Sequence, residues 1–589
     1  MFQQLIKNIL PKHEKNLGVR HYEFSFSKIS LSGVITGNLR KLGVMKLSND
    51  FCEHYADLLA GQYDCIDRIV LNGYYPKLLS GGGLRDWWRQ LHNGNDAGLN
   101  TAALMRMAGV VSQRVQAYCK KTNIPFVHYQ TGERKHEDAA GLLPADGVFE
   151  GIFAVFCSRA TSLLWEVREF GNGNIDIRRK KKASLVNHYY FHIKDKQWGH
   201  VCIRMCAHPP FSCNIMLNGH EWVENHRQAA HLELVKESNC FTSYTDGKKL
   251  SQIADTLKHQ GQLEKVCQRW VYSCLWFALD YEAQKKTGFS YKFSVYQVEY
   301  SRNFLFKRGR LLDDVYQHII NLTRQRIDMP YLKTLLGRKT RPYITKHHAS
   351  APEVHVQTPD YNLTVFKIHV GKLTLKLYDK GERTLRAEVV VHNTKELGCK
   401  KSLEYFETMV TKLNELMGQF INNITYAHIA TIDDGTMENL SKPVKTGRTR
   451  LAGITLASKR NVALMESVLA LMICPKGFSS ADLKEIMLKK QFKDYTINNA
   501  RYDMRKLKGK QFVQRIKGKQ KYHTTKRGVQ TMSAVLCIWK QELKPFLTIV
   551  NTKIIDEQKK ELSIAETHFC NARKEIHAVS NLYGLKIAG

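Results

Sequence analysis

"NNARYDMRKLKGKQFVQRIKGKQKYHTT", Asn498 to Thr525, threads nine lysines and arginines between apolar residues spaced for a small core. Ile497, Ala500, Met504 and Leu507 recur at i, i+3, i+7 and i+10, one inward stripe of a helix. The same spacing turns Asn498, Asn499, Arg501, Arg505 and Lys508 outward. Thr496 stands where an N-terminal cap belongs. Downstream, "QFVQRI" and "KYHTT" read as short strands joined at Lys517-Gly518-Lys519, and "KRGVQTMSAVLCIWKQEL" as a helix. Upstream, "NVALMESVLALMI" and "ADLKEIMLKK" read as two helices, the second capped by Ser479 or Ser480. Residues 455–547 thus run helix, helix, helix, strand, strand, helix.

That order resembles winged helix-turn-helix DNA-binding domains. The resemblance implies that the third helix enters a major groove, where Arg pairs with guanine and Asn with adenine. Lys517, Lys519 and Lys521 at the wing would then meet phosphates. From Ser441 to Pro545 there are 24 basic and 6 acidic residues, about half of the whole chain's net charge of +35. A field of that sign attracts polyanions.

Two polyanions are in question, a membrane surface and nucleic acid. No apolar run approaches the ~18 residues of a spanning helix, and the start of the chain, "MFQQLIKNILPKHEKN", lacks a signal-peptide pattern. The 14 cysteines are scattered through the chain rather than gathered into a small framework, which suits reduced thiols in a cytoplasm. DNA, structured RNA or both are therefore the expected partners, with no membrane. Hydrophobic residues at 43% and aromatics at 10% fit a chain that folds, and 589 residues exceed what one core serves.

The expected architecture is multidomain, α/β and α+β. Residues 1–165 read as a layered α/β domain in which "DCIDRIVLNGYY" is a strand ending in an Asn72-Gly73 turn, followed by helices and the strands "IPFVHY" and "FEGIFAVFC". A polar break, "GNGNIDIRRKKKAS", offers Arg178, Arg179 and Lys180 as a phosphate-contacting loop or a solvated linker. Residues 183–300 form a His- and Cys-rich α+β domain. Residues 301–440 hold an antiparallel sheet from "LTVFKIHV", "KLTLKLYDK" and "TLRAEVVVHN" and then a helix, so the centre of the chain is antiparallel sheet with helices. "KPVKTGRTR", Lys442 to Arg450, reads as a basic linker to the last domain, and 548–589 as a helical tail.

Three constellations could carry chemistry. Asp64 and Asp67 with "GERKHED", which supplies Glu133 and Lys135, could hold Mg²⁺ through Asp64, Asp67 and Glu133 and orient water for phosphodiester hydrolysis. This layout resembles flap-type nucleases. "YDKGERTLRAEVVVHN" contains Tyr378 and Glu388, and residues 372–397 resemble phage and plasmid rolling-circle replication initiators. That resemblance implies a tyrosine that attacks the phosphodiester beside metal-holding carboxylates. His200, Cys202, Cys206, His208, Cys213 and His220 lack the spacing of a zinc finger or ribbon, so thiols packed in a core are expected rather than zinc. No GxxxxGK[ST] loop occurs, which argues against a P-loop ATPase.

Taken whole, "CIDRIVLNGYYP", "GERKHE", "HPPF" and "LNGHEW" with the C-terminal segment resemble uncharacterised bacterial multidomain proteins. The expectation is a DNA-binding protein of a mobile element, plasmid or phage that cleaves or nicks DNA with a divalent metal. The alternative is a non-catalytic RNA-binding protein with Trp87, Trp88, Tyr189 and Tyr190 as stacking platforms.

Overall fold

The computed structural model describes residues 49–543, apart from 131–134, 146, 171–173, 317–332, 337–352, 359–364, 371, 429–434, 448, 473 and 475, together with scattered positions between 564 and 575. It is a multidomain mixed α/β structure. Two compact units divide it: one is built from Asp57–Gly309 and Lys372–Met417, and the other takes in the chain from Gly418 onward.

The first unit is organised by nine strands: β1 (Leu59–Tyr74), β2 (Phe126–Tyr129), β3 (Gly151–Ser162), β4 (Ser184–Asp195), β5 (Gly199–Cys206), β6 (Cys213–Asn218), β7 (Lys292–Phe306), β8 (Leu373–Asp379) and β9 (Thr384–Val391). Their spatial order is β8-β9-β7-β1-β6-β5-β4-β3-β2. Every neighbouring pair is antiparallel except β2 and β3. The helix Lys135–Gly141 lies in the connection between those two parallel strands, as a parallel crossover requires. Strand β3 is buried on both faces through "GIFAVFCS", which is why its sequence is a continuous apolar run rather than an alternation.

This sheet joins what the sequence divides. Strands from 1–165, from 183–300 and from 301–440 hydrogen-bond side by side, so those three expected domains share one sheet within one unit. Turns and polar breaks are local signals, whereas the pairing of β1 with β7 joins residues more than 200 apart, which no local signal reports. The Asn72-Gly73 turn is corrected too. Strand β1 runs through it to Tyr74, and Asn214 Nδ2 donates to Asn72 Oδ1 at 2.6 Å across the β1/β6 pair. Glycine is needed at 73 because a Cβ there would come within 2.5 Å of Cys213 Sγ.

Strand β6 pairs with β1 only from Arg68 onward, so among the described residues no strand flanks the first half of β1 on that side. Helices fill the gap. The Asp64 N–H donates to Ser251 Oγ of the helix Gly247–Thr256 at 3.0 Å. The helix Gly219–His226 starts so close to β1 that a Cβ on Gly219 would lie 1.9 Å from the Ile66 carbonyl oxygen. The second "LNG" of the sequence is therefore a strand-to-helix junction, capped by Asn218, whose side chain accepts the His220 N–H.

In the second unit, α1 (Lys459–Leu471), α2 (Ser480–Lys489) and α3 (Ile497–Gly509) precede a hairpin of Val513–Arg515 with Tyr522–Thr524 and a further helix, Lys526–Cys537. Phe478 bridges to Tyr522 as one more rung beside the hairpin. Leu464, Val468, Leu483, Met487, Ala500, Met504, Leu507, Val529 and Met532 form its buried interior. At ~1.5–3 kcal/mol for each fully buried large side chain, this interior is what holds the short helices. Ser458, Ser479, Thr496 and Thr525 cap the four helices, and Ser479 with Asp482 completes a capping box. "KPVKTGRTR" is not a plain linker: Val444–Thr446 and Thr449–Leu451 pair as an antiparallel hairpin.

Candidate functional site

Side-chain alternation along β1 decides where its two aspartates act. Asp64 stands opposite Arg302 and Cys65 opposite Ser301 in the β1/β7 register, so Asp64 and Cys65 look to opposite faces of the sheet. Asp67, two residues beyond Cys65, joins Ser301 on the second face. The pair Asp64 and Asp67 expected to share a metal is therefore split by the sheet.

On the first face Asp64 is fully engaged. Arg302 donates Nε at 2.8 Å and Nη2 at 2.7 Å to its two oxygens, and Tyr300 donates its hydroxyl at 2.7 Å. Arg302 Nη2 also donates to Asn414 Oδ1 of the helix Phe406–His428. All of these except Asn414 are buried. This is a bidentate, charge-assisted arrangement inside a core, and its chemistry is structural.

The second face gathers residues from four strands and a helix. Asp67 Oδ1 accepts from Ser301 Oγ at 2.7 Å and lies 3.3 Å from His220 Nδ1, while its Oδ2 faces Arg386 Nη1 at 3.3 Å. Arg386 is held further by Asn303 Oδ1 at 2.7 Å and by the Asn239 carbonyl at 2.5 Å. One rung along β9, Glu388 accepts from Lys376 Nζ at 2.5 Å and from the Tyr378 hydroxyl at 2.7 Å. The register explains the grouping, since Glu388 pairs with Ser301 on one side and with Lys376 on the other, and Arg386 pairs with Asn303 and Tyr378. Asp67, Glu388 and Arg386 are buried, Lys376, Tyr378 and Glu299 are half-buried, and Arg68 is exposed.

The charges of this face follow from burial and neighbours. Burial pushes the Asp67 carboxyl up to about 7, against the pull of Arg386 and with added push from Glu388. Burial also raises Glu388, yet Lys376 and Tyr378 hold it below the usual carboxylate range. Burial, then Arg386, drives His220 well below its ordinary value, so its ring is neutral. Burial and the Glu388 charge drive the Tyr378 hydroxyl well above its ordinary value, so it rests as a phenol that donates to Glu388.

Two metal sets can be tested against this geometry. Glu388 has both oxygens engaged by Lys376 and Tyr378, and Asp67 has Ser301 on one oxygen and Arg386 on the other, so Mg²⁺ would have to displace protein cations to reach either. Cys65, Asp67 and His220 place ligand atoms within 4.8 Å of one another, all buried. That donor set suits zinc by type but supplies three ligands rather than four. Burial and Asp67 also push the Cys65 thiol well above its ordinary value.

The other expected residues fall elsewhere. Glu133 lies outside the described residues. Lys135 begins its helix beside β2, five strands from β1, which at ~4.8 Å per strand is far from Asp67. Arg178 and Arg179 belong to a strand, Ile175–Arg179, paired with Trp165–Glu169, rather than to a loop. Arg179 lies over the Trp165 ring at 4.1 Å and donates to the Leu163 carbonyl, Arg178 sits near Glu166 and Asp176, and Lys180 N–H donates to the Leu164 carbonyl. Trp87, Trp88 and Tyr189 are core residues, 0%, 5% and 1% exposed, and cannot serve as stacking platforms. Of the His/Cys run, Cys202 and Cys213 are buried thiols pushed up to about 12, while His200 bonds His192 at 2.9 Å. Sequence reading missed Arg302, Ser301, Asn303 and Lys376. The polar run "SRN" within the apolar strand "VYQVEYSRNFLF" was the available signal.

On α3 of the second unit, Ala500, Met504 and Leu507 are buried while Asn498, Arg501, Arg505 and Lys508 are exposed and Asn499 is half-buried. Arg501 Nη1 lies 3.4 Å from Asn498 Oδ1. Lys517 and Lys519 are exposed at the turn around Gly518, whose φ of +73° is a conformation glycine adopts without strain. Lys521 is half-buried, with Nζ 3.5 Å from the Gly477 carbonyl.

No family model matches this chain, and no curated protein matches it. Among solved structures, the crystal structure of the di-domain ARO/CYC BexL from the BE-7585A biosynthetic pathway aligns at 10% identity, over 46% of this chain and 88% of that one, with a TM-score of 0.13. A score that low does not argue for a shared fold. Among the described residues, no helix is long and apolar enough to cross a membrane.

Proposed function

We propose that this protein binds DNA through residues 455–547, folded as a winged helix, and nicks one strand at the second face of the large sheet. The observation that carries the binding is the division of α3, with Ala500, Met504 and Leu507 in the core and Asn498, Arg501, Arg505 and Lys508 in solvent. A helix with that outward set matches the donors and acceptors of a major groove. The resemblance of residues 372–397 to rolling-circle initiators supports a role on a plasmid, phage or other mobile element.

For the nicking step, Tyr378 and Glu388 are a nucleophile and base already in hydrogen-bond contact. The Tyr378 oxygen forms a bond to phosphorus, its proton passes to Glu388, and the bond from phosphorus to the sugar oxygen breaks, with solvent protonating the leaving oxygen. Tyr378 resists ionisation and Glu388 is held low, so proton transfer has to accompany attack. A phosphate arriving at Lys376 would draw that ammonium off Glu388 and raise the basicity of the carboxylate. No step is routed through a divalent ion, because the donor oxygens are engaged. The RNA-binding alternative loses three of its four stacking platforms to the core.

The test uses the full chain and end-labelled DNA, separated under denaturing conditions. A covalent protein–DNA adduct is expected, abolished by Tyr378→Phe while duplex affinity is kept. Cleavage by Tyr378→Phe at the unaltered rate would remove Tyr378 from the chemistry.

A further inference from the structure

We propose that the hairpin Val444–Thr446/Thr449–Leu451 is a second phosphate-binding element that grips the sugar-phosphate backbone of a DNA duplex beside α3. This rests on the DNA-binding reading above.

The hairpin carries an uncompensated charge. Lys445 and Arg450 stand directly opposite each other in its register, so their side chains leave from the same face. Both are exposed, and neither has an ion-pair partner among the described residues. Like charges at directly opposed positions destabilise a two-stranded hairpin. No aspartate or glutamate occurs from Lys442 to Met465 to offset them. A polyanion laid across the pair removes that repulsion.

A lone two-stranded hairpin is marginal in water, and here α3 holds it. Tyr502 of α3 accepts the Ala452 N–H at 3.1 Å, and Lys510 Nζ donates to the Lys442 carbonyl at 2.6 Å. Val444 lies against Gly509 so closely that a Cβ on that glycine would come within 2.9 Å of a valine methyl. Asn498, Tyr502, Arg505 and Gly509 fall at i, i+4, i+7 and i+11 and so share one stripe of the helix. The hairpin seats on that stripe at Tyr502 and Gly509 and leaves Asn498 and Arg505 exposed. The cations of the hairpin therefore flank the surface that would meet the bases, where a groove has its phosphate walls.

The experiment measures the affinity of the full chain for a duplex as a function of salt, with Lys445→Gln/Arg450→Gln beside the unaltered protein. Losing two phosphate contacts flattens the logarithmic salt slope by about 1.8, at ~0.9 per contact. An unchanged slope, with duplex binding intact and still weakened by loss of Arg501 and Arg505, overturns the hairpin proposal alone. No duplex binding by the unaltered chain overturns both readings. Acetylation of Lys445 in the unaltered protein supplies a check that needs no variant: DNA should protect it, and undiminished labelling counts against the proposal. Protection by vesicles of phosphatidylserine and phosphatidylcholine but not by DNA would make the occupant a membrane and also overturn it.

Discussion

Arg302 and Arg386 of the first unit and Arg501 and Arg505 of the second show one side chain used in two ways. Arg302 and Arg386 are 1% and 2% exposed, and each meets an aspartate, Asp64 or Asp67. Arg501 and Arg505 stand in solvent with no ion pair among the described residues. A net charge of +35 does not distinguish these uses. Neutralised arginines organise a core and contribute no field at a distance, whereas unpaired ones supply the attraction that draws a polyanion. The difference predicts that substitutions of the buried arginines act on stability and those of the exposed arginines on binding.

The largest effect is expected at Arg302. Arg302→Met leaves Asp64 buried beside Tyr300 with no cation, and breaking a buried pair in this way costs about 3–5 kcal/mol. Seven of the eight tryptophans lie in the first unit, so fluorescence during urea unfolding reads that unit. A loss below about 1 kcal/mol would mean that the pair is not buried as described and would dissolve the contrast with Arg501.

Asp67 gives the next effect, read through pH. Its folded-state value of about 7 lies above the ordinary 3.8, so the folded chain binds more protons than the unfolded chain between those limits. The stabilisation attached to the protonated form is fully present below pH 3.8 and is lost as pH rises to about 7. Asp67→Asn removes that dependence. The difference in unfolding free energy between the unaltered protein and the variant should fall across this window by at most about 4 kcal/mol. A flat difference would mean that Arg386 holds Asp67 ionised throughout.

A third effect belongs to the exposed pair. Arg501→Ala and Arg505→Ala should each cost about 1–3 kcal/mol of discrimination between a cognate and an altered duplex, with the unfolding midpoint unchanged. Equal losses on both duplexes would mean that α3 touches only the backbone. A lowered midpoint would mean that these arginines serve the fold, as Arg302 does.

The two regions also differ in how much of them sequence could reveal. Helix α3 is local: its cap at Thr496 and its stripe from Ala500 to Leu507 lie within a few turns, and 3.6-residue periodicity reports them directly. The sheet face is assembled from distant segments. Asp67 meets Arg386 across 319 residues, and the separation of Asp64 from Asp67 depends on strand alternation and on a register shift between Ile66 and Arg68. Spacing of three along the chain looks like proximity and in a strand means opposite faces. Tyr378 and Glu388 were visible because β8 and β9 are joined by a short turn, which keeps their pairing local. Asp67 and His220 were visible singly, as members of constellations that the fold does not assemble in the expected way.

The smallest effect tests whether α3 is presented by a scaffold or stabilises itself. Ser479 accepts the Asp482 N–H through Oγ, and Asp482 accepts the Ser479 N–H at 2.7 Å, which closes the capping box of α2. Ser479→Ala removes one half of that box and should cost about 1 kcal/mol. Because α2 packs against α3, amide exchange should quicken in both helices by a similar factor, about five-fold for 1 kcal/mol. Quickening confined to residues 480–489 would show that α3 holds its place without α2, and that its exposed arginines ride on a more independent helix than the buried arginines of the sheet do.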